Sequence, residues 1–249
     1  MTLSLHIHVG HGKTGSSFIQ SWLAANASLL LERNQIFYPQ ICPITGLQDE
    51  RALQSQFSMG NGFVLNPVIK EGVCHSDQQQ WWKGWRRSES VDLETVKSLI
   101  FSHEPWARKL PSQWDNLLQL ADVINAQAIH MWLLVRDPLD HAISVYGQMV
   151  KRHGFTGSLE DWLLIYDFPL VLMQFLDKVE SSQGIVTLRV DHYRAHRQNL
   201  MACLTQWLQL QVDVPWQETH ESNVNRSLTL SELTLVRWLN TRNPDLAIR

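Results

Sequence analysis

Apolar residues along the chain fall into two kinds of run: short unbroken ones that stop at glycine, proline or charge, and longer ones that recur every three to four residues. The short runs predict strands over residues 5–9, 35–38, 96–101, 128–135 and 185–190. The longer runs predict helices over 16–33, 114–124, 159–165, 170–179, 200–208 and 231–240, and one more starting at Pro138. Phe18, Ile19, Trp22 and Leu23 form the buried stripe of the first helix, and Leu117, Leu120, Ala121 and Ile124 that of the second. After Pro138, a residue suited to the first turn of a helix, the stripe is Leu139, Ala142, Ile143, Tyr146 and Val150. Alternating strands and helices imply an α/β fold with a central, mainly parallel sheet flanked by helices in three layers. With no repeat, low-complexity tract or linker, residues 1–249 read as a single domain.

One stretch departs from this pattern. Residues 40–75 are rich in Gly, Pro, Asn and Gln and show little periodicity, with Gly60-Asn61-Gly62-Phe63 as a tight turn or flexible loop. A long irregular stretch in such a domain is a candidate for substrate contact. It is followed by Gln80-Trp81-Trp82-Lys83-Gly84-Trp85-Arg86-Arg87. Indole faces stack on sugar rings and arginines grip acidic groups, but most tryptophans fill cores.

A net charge of −3 argues against general nucleic-acid binding, so any anion affinity must be local. Cys42, Cys74 and Cys203 are too few and too scattered for a disulfide framework or a metal site, and suit a reducing compartment. No apolar run is long enough to span a bilayer, and the first strand starts within a few residues of Met1. If Met1 is the native start, the expected location is cytoplasmic.

The local anion site is legible at the end of the first strand, in Gly10-His11-Gly12-Lys13-Thr14-Gly15-Ser16-Ser17. Glycines let backbone approach an anion closely, and the N–H groups of the following helix point at it. Lys13 adds a point charge; Ser16 and Ser17 add donors. A Walker A loop would need glycine five residues before the Gly12-Lys13 pair, where Ile7 stands, so this is not the ordinary nucleotide-triphosphatase loop. Two further candidates sit at a strand end, where α/β folds place their chemistry: His103 and Glu104.

Two separated stretches resemble the sulfotransferases that use 3′-phosphoadenosine 5′-phosphosulfate (PAPS). Lys13-Thr14-Gly15-Ser16-Ser17 resembles their 5′-phosphosulfate loop, with serines where threonines are common. Val135-Arg136-Asp137-Pro138 through Ser144-Val145-Tyr146 resembles their 3′-phosphate site, an arginine at a strand end and a serine eight residues on. Asn225-Arg226-Ser227-Leu228 is similar to prokaryotic members acting on carbohydrates or other small acceptors, whereas the Arg-Lys-Gly loop of the steroid and phenol enzymes is absent.

The resemblance implies a P-loop-like fold and transfer of a sulfuryl group from PAPS to a hydroxyl or amine, with a small-molecule or saccharide acceptor, PAP as product and no metal. It assigns Lys13 to the leaving group, and Glu104 or His103 to the general base. His11, Gly12, Lys13, Thr14, Gly15, Ser16 and Ser17 would hold the phosphosulfate, and Arg136 and Ser144 the 3′-phosphate. Two alternatives stay open: a P-loop kinase or nucleotide triphosphatase using Lys13 and Thr14, and a non-catalytic PAP or PAPS binder.

Overall fold

Each of the five apolar runs becomes a strand of one parallel sheet in the computed structural model, which describes residues 2–50, 58–70, 75–88, 91–211, 213–218 and 228–242. Cys74, the segment 222–227 and the side chains of Arg86 and Arg87 lie outside the described residues. The strands are β1 (Leu3–Val9), β2 (Ile36–Phe37), β3 (Ser98–His103), β4 (Ala126–Val135) and β5 (Val186–His192), in the order β2-β3-β1-β4-β5. Every pairing is parallel, so the sheet needs helices on both faces. The expected three-layer α/β architecture is therefore the one observed.

Because side chains alternate along a strand, each strand feeds both layers. Ile100, Trp132 and Leu134 pack with Ile19, Trp22 and Leu23 of α1 (Ser16–Ala25), and with Leu204 and Trp207 of α11 (Leu200–Trp207). On the opposite face lie Leu5, Ile7 and Val9, in register with Leu99, Phe101 and His103. Here α3 (Gly62–Ile69), α4 (His75–Ser88) and α6 (Trp114–Val123) close the core, with Trp81 and Trp85 against Phe101. Between β3 and α6 run the short α5 (Trp106–Lys109) and a 3-10 turn.

Three elements differ from the sequence expectation. The first helix is broken into α1 and α2 (Ala27–Asn34) at Asn26, whose amide bonds Trp22 O at 3.0 Å and Gln217 O at 3.1 Å. Within the irregular stretch, α3 starts at the Gly-Asn-Gly turn and buries Val64, Leu65, Val68 and Ile69 on one face; Gly62 and the internal Pro67 make its sequence read as a turn. The Trp-rich segment is α4, whose Trp81 and Trp85 are fully buried and donate to Val64 O and Ile41 O. Eight of the eleven tryptophans are buried, and within the aromatic cluster Trp81 and Trp85 are core while Trp82 is half-buried.

The chain divides into two compact units, 1–135 with 172–223, and 136–171 with 224–249. In the second, α7 (Pro138–His153) packs against α8 (Leu159–Ile165) and α12 (Leu230–Arg242) around Tyr146, Val150 and Trp162. Asp137 caps α7 through Leu139 N and Asp140 N, and Ser158 with Asp161 forms a capping box on α8. Leu139 and Ile143, expected in the buried stripe of α7, are exposed, while Ala142, Tyr146 and Val150 are buried. Helix α9 (Phe168–Glu180) and the one-turn α10 (Tyr193–His196) complete the described elements. Among the described residues, no helix is long and apolar enough to cross a membrane.

In β1 the inward positions of one face are histidines. His8 is fully buried with Nδ1 2.7 Å from Ser102 Oγ, and burial lowers its pKa to about 3. Burial, reinforced by neighbouring His130, lowers His6 to about 3 as well. Both rings are therefore neutral when folded but take up protons below about pH 6.5 when unfolded. Their contribution is fully present near neutrality and is withdrawn as pH falls from about 6.5 toward 3, roughly 2 kcal/mol per histidine by pH 5. The unfolding midpoint should fall steeply between pH 7 and 5, with uptake of protons on unfolding that shrinks in His8→Asn. A pH-independent midpoint over that range would contradict the buried neutral state.

Candidate active site

The sheet order creates a crevice at the carboxyl ends of β1 and β3, because β1 leads into α1 on one face and β3 leads toward α6 on the other. Into this crevice the chain sends the Gly10–Gly15 loop. Gly10 N donates to His103 O at 3.1 Å, and a side chain on Gly10 would collide with the Glu104 backbone. That close approach brings the loop beside His103 and Glu104, two groups far from it in sequence.

The loop's shape follows from its backbone. Gly12, Lys13 and Gly15 adopt positive φ of 69°, 53° and 79°. Gly15 is the N-cap of α1 and has no side chain with which to cap it. A Cβ there would lie 2.6 Å from Leu200 Cδ1 and 3.2 Å from Tyr193, so glycine is required by conformation and by space. Successive turns of this kind aim backbone N–H groups into one concavity, and the helix N-terminus adds partial positive charge.

The polar side chains match. Thr14 and Ser16 are buried, yet among the described residues neither hydroxyl has a hydrogen-bond partner. Leaving such groups unmet costs about 1–3 kcal/mol each, which an anionic oxygen at the loop would offset. Lys13 and Ser17 are half-buried at the rim. His11, a loop residue in sequence, is buried with 2% exposure. These residues fit a phosphate or phosphosulfate group.

His103 is half-buried, packed edge-on to Trp106 with ring centroids 5.6 Å apart, and Nε2 has no partner among the described residues. Burial, with Lys109 adding to it, lowers its pKa to about 4, so the ring is neutral near pH 7. Glu104 follows it in a turn and is half-buried.

Sequence reasoning missed the segment that holds this end of β3. Asn61 stands just before α3 and clamps the strand, donating to Pro39 O and Ile100 O at 3.0 Å each and accepting from Ser102 N at 2.8 Å. Gly60 and Gly62 lie directly on Ser102 and His103. Gln20 of α1, 1% exposed, abuts Gly60, and its Nε2 has no partner among the described residues. The Gly-Asn-Gly triplet was the available signal; its contact with β3, about 40 residues on, was not.

Arg136 directly follows β4, and Ser144 lies half-buried two turns into α7; both belong to the second unit. Among the described residues, no group of three or more His, Cys, Asp or Glu could hold a metal ion.

Gly10→Ala should destabilise the protein by about 1–3 kcal/mol, because backbone cannot yield as a side chain can. Gly147→Ala, in α7 with open space around the added methyl, should be neutral or stabilising by up to about 1 kcal/mol. Equal midpoints for the two variants in urea unfolding would contradict the close approach.

A scan against protein-family models finds no match, and neither does a search of curated proteins. Among solved structures, the chain is similar to a sulfotransferase from Alicyclobacillus acidocaldarius at 14% identity and a TM-score of 0.44, over 98% of this chain and 94% of that one.

Proposed function

We propose that the protein is a PAPS-dependent sulfotransferase, acting as one domain over residues 1–249. The observation that carries the reading is the Gly10–Ser17 loop, with its positive-φ backbone, uncapped helix start and two buried hydroxyls awaiting acceptors. The missing Walker glycine at Ile7 weighs against a kinase or triphosphatase.

PAPS, when bound, supplies a sulfuryl group carried on a phosphate. The backbone N–H groups of Gly15 to Ser17, with the Thr14, Ser16 and Ser17 hydroxyls, bind the 5′-phosphate, and His11 and Gly12 close the loop around it. Lys13 neutralises negative charge that grows on the phosphate as the sulfuryl group departs. The resemblance assigns Arg136 and Ser144 to the 3′-phosphate. Glu104 or His103 accepts the proton of an acceptor hydroxyl or amine; a neutral imidazole and a carboxylate are both competent. A saccharide acceptor rests chiefly on the sequence resemblance, since Trp81 and Trp85 are buried in the core and Trp82 is half-buried.

Calorimetry without magnesium should show tight binding of PAP and PAPS and weak binding of ATP. Arg136→Ala should weaken PAP by about 10–100-fold, the loss of a charge-assisted contact. Magnesium-dependent ATP binding indifferent to Arg136→Ala would overturn the reading in favour of a kinase.

Once an acceptor is found by labelled-sulfate transfer, and if His103 is the base, kcat/KM should decline on the acid side near pH 4, with no break near 6.5. Glu104→Gln and His103→Gln then separate the two bases, the true one losing about 100-fold or more. An acid limb at 6.5 would place the base on another residue.

A further inference from the structure

A parallel sheet covered on both faces is normally apolar throughout. Here one face breaks that rule across four strands. Ser98 of β3, Ser4 and His6 of β1, His130 of β4 and Thr187 of β5 lie on one side of the sheet, with Ser4 beside Ser98 and His6, His130 and Thr187 in direct register. They line a cavity of about 420 Å³ closed on one side by Trp207, the last residue of α11. All belong to the first unit.

The lining is arranged for hydrogen bonding. His130 Nδ1 is 2.8 Å from Thr187 Oγ1, and the Ser4 and Ser98 hydroxyls are 2.9 Å apart. His6 is 9% exposed and packs against His130 and Trp207, at 4.9 and 5.2 Å between ring centroids. Its Nδ1 is buried with no partner among the described residues.

From this row of polar side chains we infer that the amino-terminal half of the sheet carries a second binding site, for a small neutral ligand rich in hydroxyls, of the monosaccharide or polyol class. The site is separate from the phosphate-binding loop: His6 precedes Gly10 by four residues of extended chain, about 13 Å. The cavity is of ligand size. Hydroxyls and neutral imidazoles donate and accept alike, as sugar hydroxyls do, and the indole of Trp207 offers apolar surface for a ring.

Charge excludes the other ligand classes. Arg189, also lining the cavity, bonds Asp191 at 2.6 Å and Gln206 at 3.1 Å, so its charge is already met and offers little to an anion. Burial lowers the pKa of both His6 and His130, so neither adds positive charge near neutrality. Among the described residues that line it, a metal cation would find two imidazoles, no carboxylate or thiolate, and a guanidinium nearby.

The test is saturation-transfer NMR on the full chain with glucose, galactose, xylose, N-acetylglucosamine, myo-inositol and glycerol at about 20 mM, in the millimolar range of weak binding. At least one should bind, and PAP should not displace it. Thr187→Val, nearly isosteric and exposed, and His130→Phe should each weaken that binding at least tenfold, with PAP affinity by calorimetry unchanged within twofold. Circular dichroism checks that both variants are folded, Thr187→Val deciding if His130→Phe is not. The proposal is overturned by failure of all six probes to bind, by displacement by PAP, by binding indifferent to the variants, or by zinc binding that depends on His130.

Discussion

The passage of Gly10 against the end of β3 is the constraint on which the rest of the candidate site depends. Parallel strands with helices on opposite faces leave a crevice at their carboxyl ends, but a crevice alone places nothing. The hydrogen bond from Gly10 N to His103 O ties the loop to one wall. Leu200 and Tyr193 beneath Gly15 fix it from the other side, and positive φ at Gly12, Lys13 and Gly15 then turns the backbone into a concave donor surface. On β3 itself, the Asn61 clamp on Ile100 and Ser102 holds the strand where His103 and Glu104 leave it.

The same sheet serves two kinds of environment along one strand. Leu5, Ile7 and Val9 sit in a dry core, while Ser4, His6 and His8 alternate with them on the other face. His8 meets Ser102 through Nδ1 and is fully buried; His6, four residues before the loop, meets a cavity where α11 ends. Protein stability and a second polar surface are thus coupled through neutral histidines, and acid acts on both.

Much of this was legible in the chain. The strands announce themselves as short apolar runs, and the loop announces itself through glycines, because a backbone requirement leaves a residue-type signature. Helix α3 did not, since eight residues that include Gly62 and Pro67 carry the composition of a turn. The break at Asn26 depends on Gln217, 191 positions away, and no local pattern carries that. The tryptophans of α4 were ambiguous for a related reason: an indole suits a core and a sugar equally, and only its fully buried position decides. At the site, His103 and Glu104 could be named from their strand end, but their placement against Gly10 is a product of register between β1 and β3.

The central claim is that the loop after β1 is an anion cradle for the phosphate end of PAP and PAPS. A crystal structure of the protein grown with PAP tests it most directly. The account predicts the 5′-phosphate at the start of α1, within hydrogen-bond distance of Ser16 N and the Thr14 and Ser16 hydroxyls, with Lys13 alongside. PAP bound elsewhere, with those hydroxyls still unpaired, would contradict it.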